Sequence, residues 1–466
     1  MSILIKNGLV ITTDGATNAD IFIEKETIKR IGPHLGLKAD NIIEASGKLV
    51  IPGGVDVHTH LSLPVGNVIT SDDFETGTRA AAFGGTTTII DFAQQVKGHS
   101  LREALDARLK EAKKSVIDYG LHMIIVDLPE QRITEMDEMI KRGVTSFKLF
   151  TAYPDRLMVD DDTILRALRQ TKKNGGLVCV HAEDSVMIES LVGKALMEGK
   201  TEPKYHAATR PAEAEVKAVK HIIQLARHAD APVYFVHISC SESLEYIRQA
   251  QSKGQPVYAE TCPQYLFTST EDLDRPNFED AKYVFTPPPR EKWNQEKLWN
   301  SLQNNSLQVV STDHCPFNFR GEKESGYSNF TNIPNGAPGI ENRLQLLFNF
   351  GVVGGKISTN RWVEIISTMP AKLFGLYPKK GTIAIGSDAD IVIWNPATEH
   401  TISASTHHMK VDYSLYEGWR VQGLAEIVVS RGDIIVENHT WKGKPSRGKF
   451  CTRELFQFRR SFNPCM

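Results

Sequence analysis

The sequence of 466 residues lacks most marks of a specialised protein class. Its six cysteines include no C-x-x-C pair, which disfavours both a disulfide framework and a zinc ribbon. No apolar run reaches the roughly 20 residues that span a bilayer, so we expect no membrane as a partner. The N-terminal segment has no long apolar core followed by a small-residue cleavage site, as a signal peptide would. A reducing, cytoplasmic location is therefore predicted.

An excess of charge of one sign is also missing. Lys and Arg number 54 against 56 Asp and Glu, which gives a net charge of −2 with histidine neutral. This balance gives no reason to expect nucleic acid as a partner. The hydrophobic fraction of 41% is ordinary for a globular protein. The length suits a barrel of about 250 residues or more with an appended domain.

Short strand patterns occur at both ends of the chain and predict one small β-domain, a β-sandwich, assembled from the two termini. Between them, apolar segments alternate with helical patterns, which is typical of a (β/α)₈ barrel of the TIM type. The eight predicted strands lie in residues 55–60, 86–93, 119–128, 144–150, 176–183, 231–239, 255–262 and 307–314, with helices at 101–114, 160–173, 211–228 and 241–253 among those between them. We predict the β-domain in residues 1–51 and 374–466, the latter with a C-terminal tail, and the barrel in 52–373.

The chain is organised around LVIPGGVDVHTHL, residues 49–61, in which a short strand carries Asp56, His58 and His60. Alternate residues of a strand project to one side, so these three share a face. Two imidazoles placed in this way can bind one metal ion. Two ordinary histidines near a strand end are the alternative, and this segment alone does not decide between the two.

Four more residues stand where a predicted strand ends, namely Lys148, His181, His237 and Asp313. Strand ends of a barrel converge on one mouth even when they are far apart in sequence. A single histidine there is more often a satisfied core residue, but so many metal-ligand types at one end of a barrel favour a metal site. Cys315 is an alternative ligand, although a buried free thiol is the favoured interpretation.

Lys148 is the unusual member of this group. Its neighbours Phe147 and Leu149 are predicted to face the helices, which leaves the lysine facing the barrel interior. Burying a bare ammonium there costs several kcal/mol and depresses its pKa. A neutral amine can add carbon dioxide to form a carbamate, whose oxygens can bridge two metal ions about 3.5–4 Å apart. A lysine paired with a carboxylate is the alternative, slightly favoured by the residues alone.

At this point the sequence resembles the dihydropyrimidinase and D-hydantoinase group of cyclic amidohydrolases over almost its whole length. The motifs that carry the resemblance are PGGVDVHTHL, GGTTTIIDF, TSFKLFTAY, VHAED, YHAATRP, VHIS, AETCPQYL, VFTPPPR, STDHCPF, IPNGAPGIE and KKGTIAIGSDADIVIW. Each is short, but their joint order makes chance an inadequate explanation. The resemblance implies metal-dependent hydrolysis of dihydropyrimidines such as 5,6-dihydrouracil, and of hydantoins, to N-carbamoyl amino acids. Allantoinase and dihydroorotase are the alternatives. A non-catalytic scaffold is disfavoured because every ligand position holds a competent residue.

The resemblance also implies two divalent metal ions per chain, usually zinc. His58, His60 and Asp313 would hold one ion, His181 and His237 the second, and carboxylated Lys148 would bridge them. Tyr153 would contact the substrate oxygen that binds metal, and backbone groups of Thr286 and Asn335 would bind the cyclic amide. Many relatives have Ser at the position of Thr286, a mild difference if backbone atoms make the contact.

Amide hydrolysis needs a nucleophile, relief of charge on the carbonyl oxygen and a proton carrier. A hydroxide bridging two metal ions would supply the nucleophile, because metal coordination lowers the pKa of water. We expect Asp313 to be the general acid and base, in preference to His314, whose side chain should point the other way. Tyr153 would assist at the oxyanion, and Asp56 would orient ligands from behind.

Two expectations concern loops and assembly. Residues 61–70 and 153–160 mix apolar and polar side chains, and form either a lid over the ring substituent of the substrate or plain surface connections. The resemblance implies a homotetramer, with a homodimer as the alternative. The segment RELFQFRRSF, residues 453–462, is a candidate for packing on a neighbouring subunit.

Overall fold

The computed structural model describes residues 2–457. The strands in this range are β1 Ser2–Ile11, β2 Ala16–Glu24, β3 Thr27–Gly32, β4 Asn41–Glu44, β5 Leu49–Pro52, β6 Gly54–Thr59, β7 Pro64–Val65, β8 Val68–Ile69, β9 Thr86–Gln94, β10 Asp118–Ile124, β11 Ser146–Phe150, β12 Leu177–His181, β13 Val233–Phe235, β14 Val257–Thr261, β15 Val309–Val310, β16 Ile391–Thr401, β17 Arg420–Ser430, β18 Asp433–Glu437 and β19 Thr440–Trp441. The α-helices are α1 Phe74–Phe83, α2 Leu101–Ala112, α3 Glu135–Lys141, α4 Asp161–Asn174, α5 Ser185–Met197, α6 Lys204–Ala208, α7 Ala212–Ala229, α8 Ser241–Ser252, α9 Pro263–Phe267, α10 Trp293–Gln303, α11 Arg343–Leu347, α12 Thr359–Val363 and α13 Met369–Leu373. Short 3₁₀ and π turns connect several of them.

Eight parallel strands form the barrel, in the order β6, β9, β10, β11, β12, β13, β14 and β15. A bridge between Thr59 and His314 joins the ends of the series, where the His60 N–H donates to the His314 carbonyl at 2.9 Å. Each of the eight predicted apolar segments overlaps one of these strands, so the predicted barrel is confirmed. Its C-terminal strand ends share one mouth.

Strand β11 explains how the barrel positions a polar side chain in its interior. Phe147 and Leu149 pack in the outer hydrophobic layer with helical residues such as Leu168. Ser146 and Lys148 therefore face inward, and the Ser146 hydroxyl lies 2.6 Å from a ring nitrogen of His122. This alternation follows from the two-residue period of a strand, and it confirms the predicted inward direction of Lys148.

The helix predicted from Asp160 to Lys173 shows how local signals set the element bounds. The Asp160 carboxylate caps α4 by accepting from the Thr163 N–H at 2.9 Å. Gly175 ends the helix with φ 76°, a left-handed conformation that glycine adopts without strain. The helix therefore lies where its end signals place it, and α2, α7 and α8 also match their predicted ranges within two residues.

A second sheet, separate from the barrel, contains strands from both ends of the chain. Its order is β19, β18, β17, β16, β5, β1, β2 and β3, with β4 also paired to β1. The antiparallel pairing of β5 with β16 joins the N-terminal and C-terminal parts. The prediction of a second β-unit built from both termini is confirmed, whereas the limits at residues 51 and 374 stay predictions. Within residues 2–457, no helix is both long enough and apolar enough to cross a membrane.

Part of the C-terminal segment packs on its own barrel. The Glu454 N–H donates to the Gly375 carbonyl at 2.8 Å, and the Phe456 N–H donates to Gly175 at 2.9 Å. Arg453 is buried, and its guanidinium donates to the carbonyl of Leu121 on β10. The predicted contact with a neighbour concerned residues 453–462, of which residues 458–462 lie outside the described range.

A buried lysine connects the barrel to the second sheet. Lys380 is 1% exposed, and its ammonium lies 2.6 Å from carboxylate oxygens of Asp118 and Asp390 and 2.9 Å from Asp388. Burial works against this charge, but the Asp390 and Asp118 carboxylates outweigh it and hold the pKa of Lys380 well above its ordinary value. The three carboxylates would otherwise resemble a cation site, and the ammonium is the cation they hold.

Replacing Lys380 with methionine should therefore destabilise the protein strongly. The change leaves buried carboxylates without their partner, and losing one member of a buried ion pair costs about 3–5 kcal/mol. Denaturant unfolding measures this loss, with Lys356→Met as the control, because Lys356 is exposed. A loss below about 1 kcal/mol for Lys380→Met would contradict the anchoring role.

Candidate active site

All the predicted site residues line one cleft at the mouth of the barrel. The cleft has a volume of about 670 Å³. Its walls include His58, His60, Lys148, His181, His237 and Asp313, together with Tyr153, Thr286 and Asn335. The structure thus brings together residues from strands that are far apart in sequence, as the barrel topology requires.

The first group of candidate metal ligands consists of His58, His60 and Asp313. The Asp313 Oδ1 atom lies 3.2 Å from His58 Nε2 and 3.1 Å from His60 Nε2. One donor atom from each residue lies within 4.8 Å of the others. Burial opposes ionisation of Asp313, but the neighbouring imidazoles of His58 and His60 lower its pKa below the usual value. The carboxylate is therefore an anion between two imidazoles.

A buried carboxylate behind His58 sets the direction of its lone pair. His58 Nδ1 lies 2.5 Å from Glu260 Oε1, and a proton on Nδ1 that is donated to ionised Glu260 would leave the lone pair on Nε2. That lone pair faces Asp313, another acceptor, while burial lowers the pKa of His58 and disfavours a second proton. Two acceptors that face each other in this way are satisfied by a cation between them.

The second group consists of His181 and His237. His181 Nδ1 and His237 Nε2 lie 2.9 Å apart, and the rings are 4.7 Å apart between centroids. His181 Nε2 lies 2.9 Å from Glu183 Oε2, which holds the proton on that nitrogen and turns the Nδ1 lone pair towards His237. The ring of His237 lies 5.4 Å from that of His58, so the two groups adjoin. This donor set of imidazole nitrogens and a carboxylate fits two divalent ions of the zinc type.

Lys148 reaches into the cleft between two aromatic rings. Its ammonium lies 5.4 Å from the ring centroid of Phe92 and 5.1 Å from that of Phe150. Among residues 2–457 no carboxylate oxygen lies within 4.0 Å of this ammonium, which disfavours the alternative of a paired lysine, although Asp313 and Glu260 act on it from further away. Burial lowers the pKa of Lys148 to about 8, which raises the fraction of reactive neutral amine at neutral pH.

Tyr153, Thr286 and Asn335 meet on one side of the cleft. Asn335 Nδ2 donates to Thr286 Oγ1 at 3.0 Å, and the Tyr153 ring lies 5.4 Å from that of His181. Burial raises the pKa of Tyr153 to about 12, so its hydroxyl stays protonated at neutral pH. This side of the cleft therefore offers hydrogen-bond donors next to the candidate metal ligands.

Three site residues have left-handed backbone conformations. The φ angles are 65° for Tyr153, 39° for His237 and 50° for Asp313. Such conformations cost about 1–3 kcal/mol each in non-glycine residues, and they cluster at functional sites. No local sequence signal predicts them, because the strain is compensated by tertiary contacts.

The predicted direction of His314 agrees with the geometry. His314 is buried, and its Nε2 lies 3.1 Å from Asp72 Oδ2, away from the cleft. Asp56 was expected to orient ligands from behind, and its carboxylate accepts from the backbone N–H of His58 at 3.3 Å. It also accepts from the Thr312 N–H at 3.1 Å and the Thr312 hydroxyl at 2.6 Å. Asp56 thus contacts the backbone of one candidate ligand, His58, and of the residue before another, Asp313.

Sequence reasoning missed the two carboxylates that fix the histidine orientations. Glu260 is the penultimate residue of β14, accepts from the Tyr234 hydroxyl at 2.8 Å and lies behind His58. Burial raises the pKa of Glu260 to about 7. Glu183 stands two residues after His181. The sequence did contain a signal, an acidic residue near a strand end in AETC and in VHAED. That signal does not indicate which histidine each glutamate contacts.

The two segments considered as lids both border the cleft. Leu63, Val65 and Val68 contribute from the β7–β8 hairpin, and Arg156 and Leu157 from the loop after β11. Leu61 is fully buried in the hydrophobic core and does not line the cleft. The apolar wall of the cleft on this side therefore starts at Leu63.

Comparisons with known proteins place these features in a family. The model of the Amidohydrolase family matches residues 49–434. A D-hydantoinase from Streptomyces coelicolor is 50% identical over 461 residues, covering 98% of each chain.

Solved structures agree with this comparison. A dihydropyrimidinase from Brevibacillus agri superposes with a TM-score of 0.97 at 48% identity, covering 98% of this chain and 100% of the other. An L-hydantoinase (dihydropyrimidinase) from Arthrobacter aurescens superposes with a TM-score of 0.88 at 29% identity, covering 97% of this chain and 99% of that one.

Proposed function

The chain belongs to the amidohydrolase family, in its dihydropyrimidinase and D-hydantoinase group, and from this premise we propose that it opens hydantoin and dihydropyrimidine rings. The products would be N-carbamoyl amino acids. The D-enantiomer of a 5-substituted hydantoin is the proposed substrate form, because identity is 50% to a D-hydantoinase and 29% to an L-hydantoinase. The chain is thus an enzyme that acts on cyclic amides.

The observation that carries the proposal is the convergence of six metal-ligand types at one mouth. His58, His60 and Asp313 would hold one divalent ion and His181 and His237 the other, with N-carboxylated Lys148 between them. Two bound ions would supply Lewis acidity at the amide carbonyl and lower the pKa of a water nucleophile. Burial lowers the pKa values of His58, His237 and Lys148, which supports this assignment because neutral imidazole is the metal-binding form and neutral amine the carbamate-forming one.

The remaining steps fall to side chains of the cleft. Asp313 would take a proton as the nucleophile attacks and deliver it to the ring nitrogen that leaves. The Tyr153 hydroxyl, protonated because of its high pKa, would donate to the carbonyl oxygen as negative charge develops there. Backbone groups of Thr286 and Asn335 would hold the opposite edge of the ring.

The identity of the metal ion, the assembly, the location and the loop contacts are also part of this proposal. Zinc is the proposed ion, since imidazole and carboxylate ligands suit it. A homotetramer, or a homodimer, in the cytoplasm is the proposed assembly and location. The segments 61–70 and 153–160 are proposed to contact the ring substituent, supported by the apolar side chains of Leu63 and Val65 along the cleft.

Hydantoins and dihydroorotate differ in the substituent on the ring, and the proposed site distinguishes them by that substituent. Dihydroorotase-type relatives carry an arginine two residues after the second histidine, where this chain has Ser62. Arg156 also borders the cleft, but it is exposed, and a solvated guanidinium contributes little to binding a carboxylate. The wall formed by Leu63 and Val65 favours a neutral or apolar substituent.

We therefore expect kcat/KM for a 5-alkyl or 5-aryl hydantoin to exceed that for dihydroorotate by roughly 30-fold to several thousand-fold. This range corresponds to the ~2–5 kcal/mol lost when a desolvated carboxylate has no charge-assisted partner. Parallel steady-state assays on both compounds and on dihydrouracil and allantoin measure it. A preference for dihydroorotate would overturn the substrate proposal, and a preference for allantoin would favour the allantoinase alternative.

A further inference from the structure

Lys323 is a buried lysine behind the wall of the cleft, in contact with the lining residue Pro334, and the proposed chemistry does not use it. It is 0% exposed. Its ammonium donates to the backbone carbonyl of Val284 at 2.9 Å and to that of Pro334 at 3.1 Å. Within the described range of the chain it has no carboxylate within ion-pair distance. The amine in this position is held by hydrogen bonds to two peptide groups alone.

The two carbonyls belong to the segments that carry Thr286 and Asn335. The Pro334 carbonyl is in the same peptide group as the Asn335 N–H, and the two point in opposite directions across a trans peptide. Because the Pro334 carbonyl points to Lys323, the Asn335 N–H points away from the lysine. Among residues 2–457 this N–H has no acceptor, and Asn335 lines the cleft. A free donor is thus presented to whatever the cleft binds.

The second carbonyl ties the two segments together. Val284 O accepts from Lys323 and also from the Gly336 N–H at 3.1 Å. Lys323 and this backbone bond therefore fix residues 334–336 against residues 284–286. The Asn335 side chain completes the link by donating to Thr286 Oγ1 at 3.0 Å.

The cost of burying Lys323 indicates a function beyond filling space. Burial lowers its pKa to about 7, and an apolar side chain of similar volume would avoid that penalty. The amine can donate to both carbonyls whether charged or neutral, and donation to a peptide carbonyl polarises the peptide group, which strengthens its N–H as a donor.

We propose that Lys323 is a positioning residue for substrate binding, which aims and strengthens the Asn335 N–H and fixes it relative to Thr286. This inference rests on the proposed function, in which Thr286 and Asn335 hold the ring. Lys323 touches neither substrate nor metal ligand in this account, so its effect should appear in KM more than in metal content.

The test compares Lys323→Met and Lys323→Gln with the wild-type enzyme on one 5-substituted hydantoin. Met removes all the hydrogen-bond donors, and we expect KM to rise about 10- to 100-fold, since small misplacements of binding groups have effects of this size. Gln retains an N–H donor and should give an intermediate KM. Bound metal per chain should stay at the wild-type value in both variants. Lys380→Met is the control, because Lys380 is also a buried lysine but lies outside the cleft. The folded fraction of this variant should have the wild-type KM.

An unchanged KM in Lys323→Met, or equal changes in Lys323→Met and Lys380→Met, would overturn the inference. If the Met variant does not fold, Lys323→Gln carries the same test, and a wild-type KM in it would count against the inference. Failure of the proposed function is distinguishable, because the wild-type enzyme itself would then open no hydantoin ring.

Discussion

Lys148→Ala should lower kcat/KM for hydantoin ring opening by about a thousand-fold or more. The replacement removes the side chain proposed to bridge two metal ions, and metal ions supply several kcal/mol of transition-state stabilisation. Alanine leaves His58, His60, His181 and His237 in place, so binding of one ion should survive better than binding of two. Steady-state kinetics and elemental analysis of the same preparation measure both effects.

Two controls make the Lys148 result specific. Lys356→Ala removes an exposed lysine and should leave activity and metal content unchanged. A short carboxylic acid such as acetate or propionate should restore some activity to Lys148→Ala, because it can place carboxylate oxygens where the carbamate would lie. Wild-type activity in Lys148→Ala without any additive would refute the bridging role.

Asp313→Asn should lower kcat by about 10²- to 10⁴-fold, the range of general acid–base catalysis. Asparagine keeps the size and one oxygen of the side chain, but it cannot carry the proton from nucleophile to leaving nitrogen. Its loss of charge also removes the anion that lies 3.1–3.2 Å from the imidazoles of His58 and His60. Kinetics at saturating hydantoin, with metal content measured alongside, separate the proton-transfer role from the ligand role.

The matched control for Asp313 is Asp161→Asn, because Asp161 is an exposed aspartate on α4. It should retain wild-type kcat. A kcat for Asp313→Asn within about threefold of wild type, at normal metal content, would exclude Asp313 as the acid and base. A fall in kcat that matches a fall in metal content would assign it a ligand role alone.

The barrel and the position of the site could be predicted because they follow from short-range rules. Strand-to-helix alternation predicts a parallel barrel, and a barrel brings its strand ends together. The inward direction of Lys148 follows from the period of β11, with Phe147 and Leu149 facing out. Helix ends such as Asp160 and Gly175 carry their own chemical signals.

The contacts that tune the site depend on partners that are distant in sequence. Glu260 meets His58 across 202 positions, and Asp56 meets Thr312 across 256. No spacing rule specifies such pairs, which is why the contact of Asp56 with Thr312 was not predicted and Glu260 was missed. Lys323 shows the same limit, because its function depends on two carbonyls of other segments.

The central claim is that this cleft opens cyclic amide rings with two metal ions per chain. The most direct test titrates the metal-depleted full-length protein with Zn²⁺ and follows formation of the N-carbamoyl amino acid from a 5-substituted hydantoin. We expect almost no product after chelation, and activity that rises until two ions are bound per chain. Full activity with one ion or none, or no ring opening with two ions bound, would contradict the account.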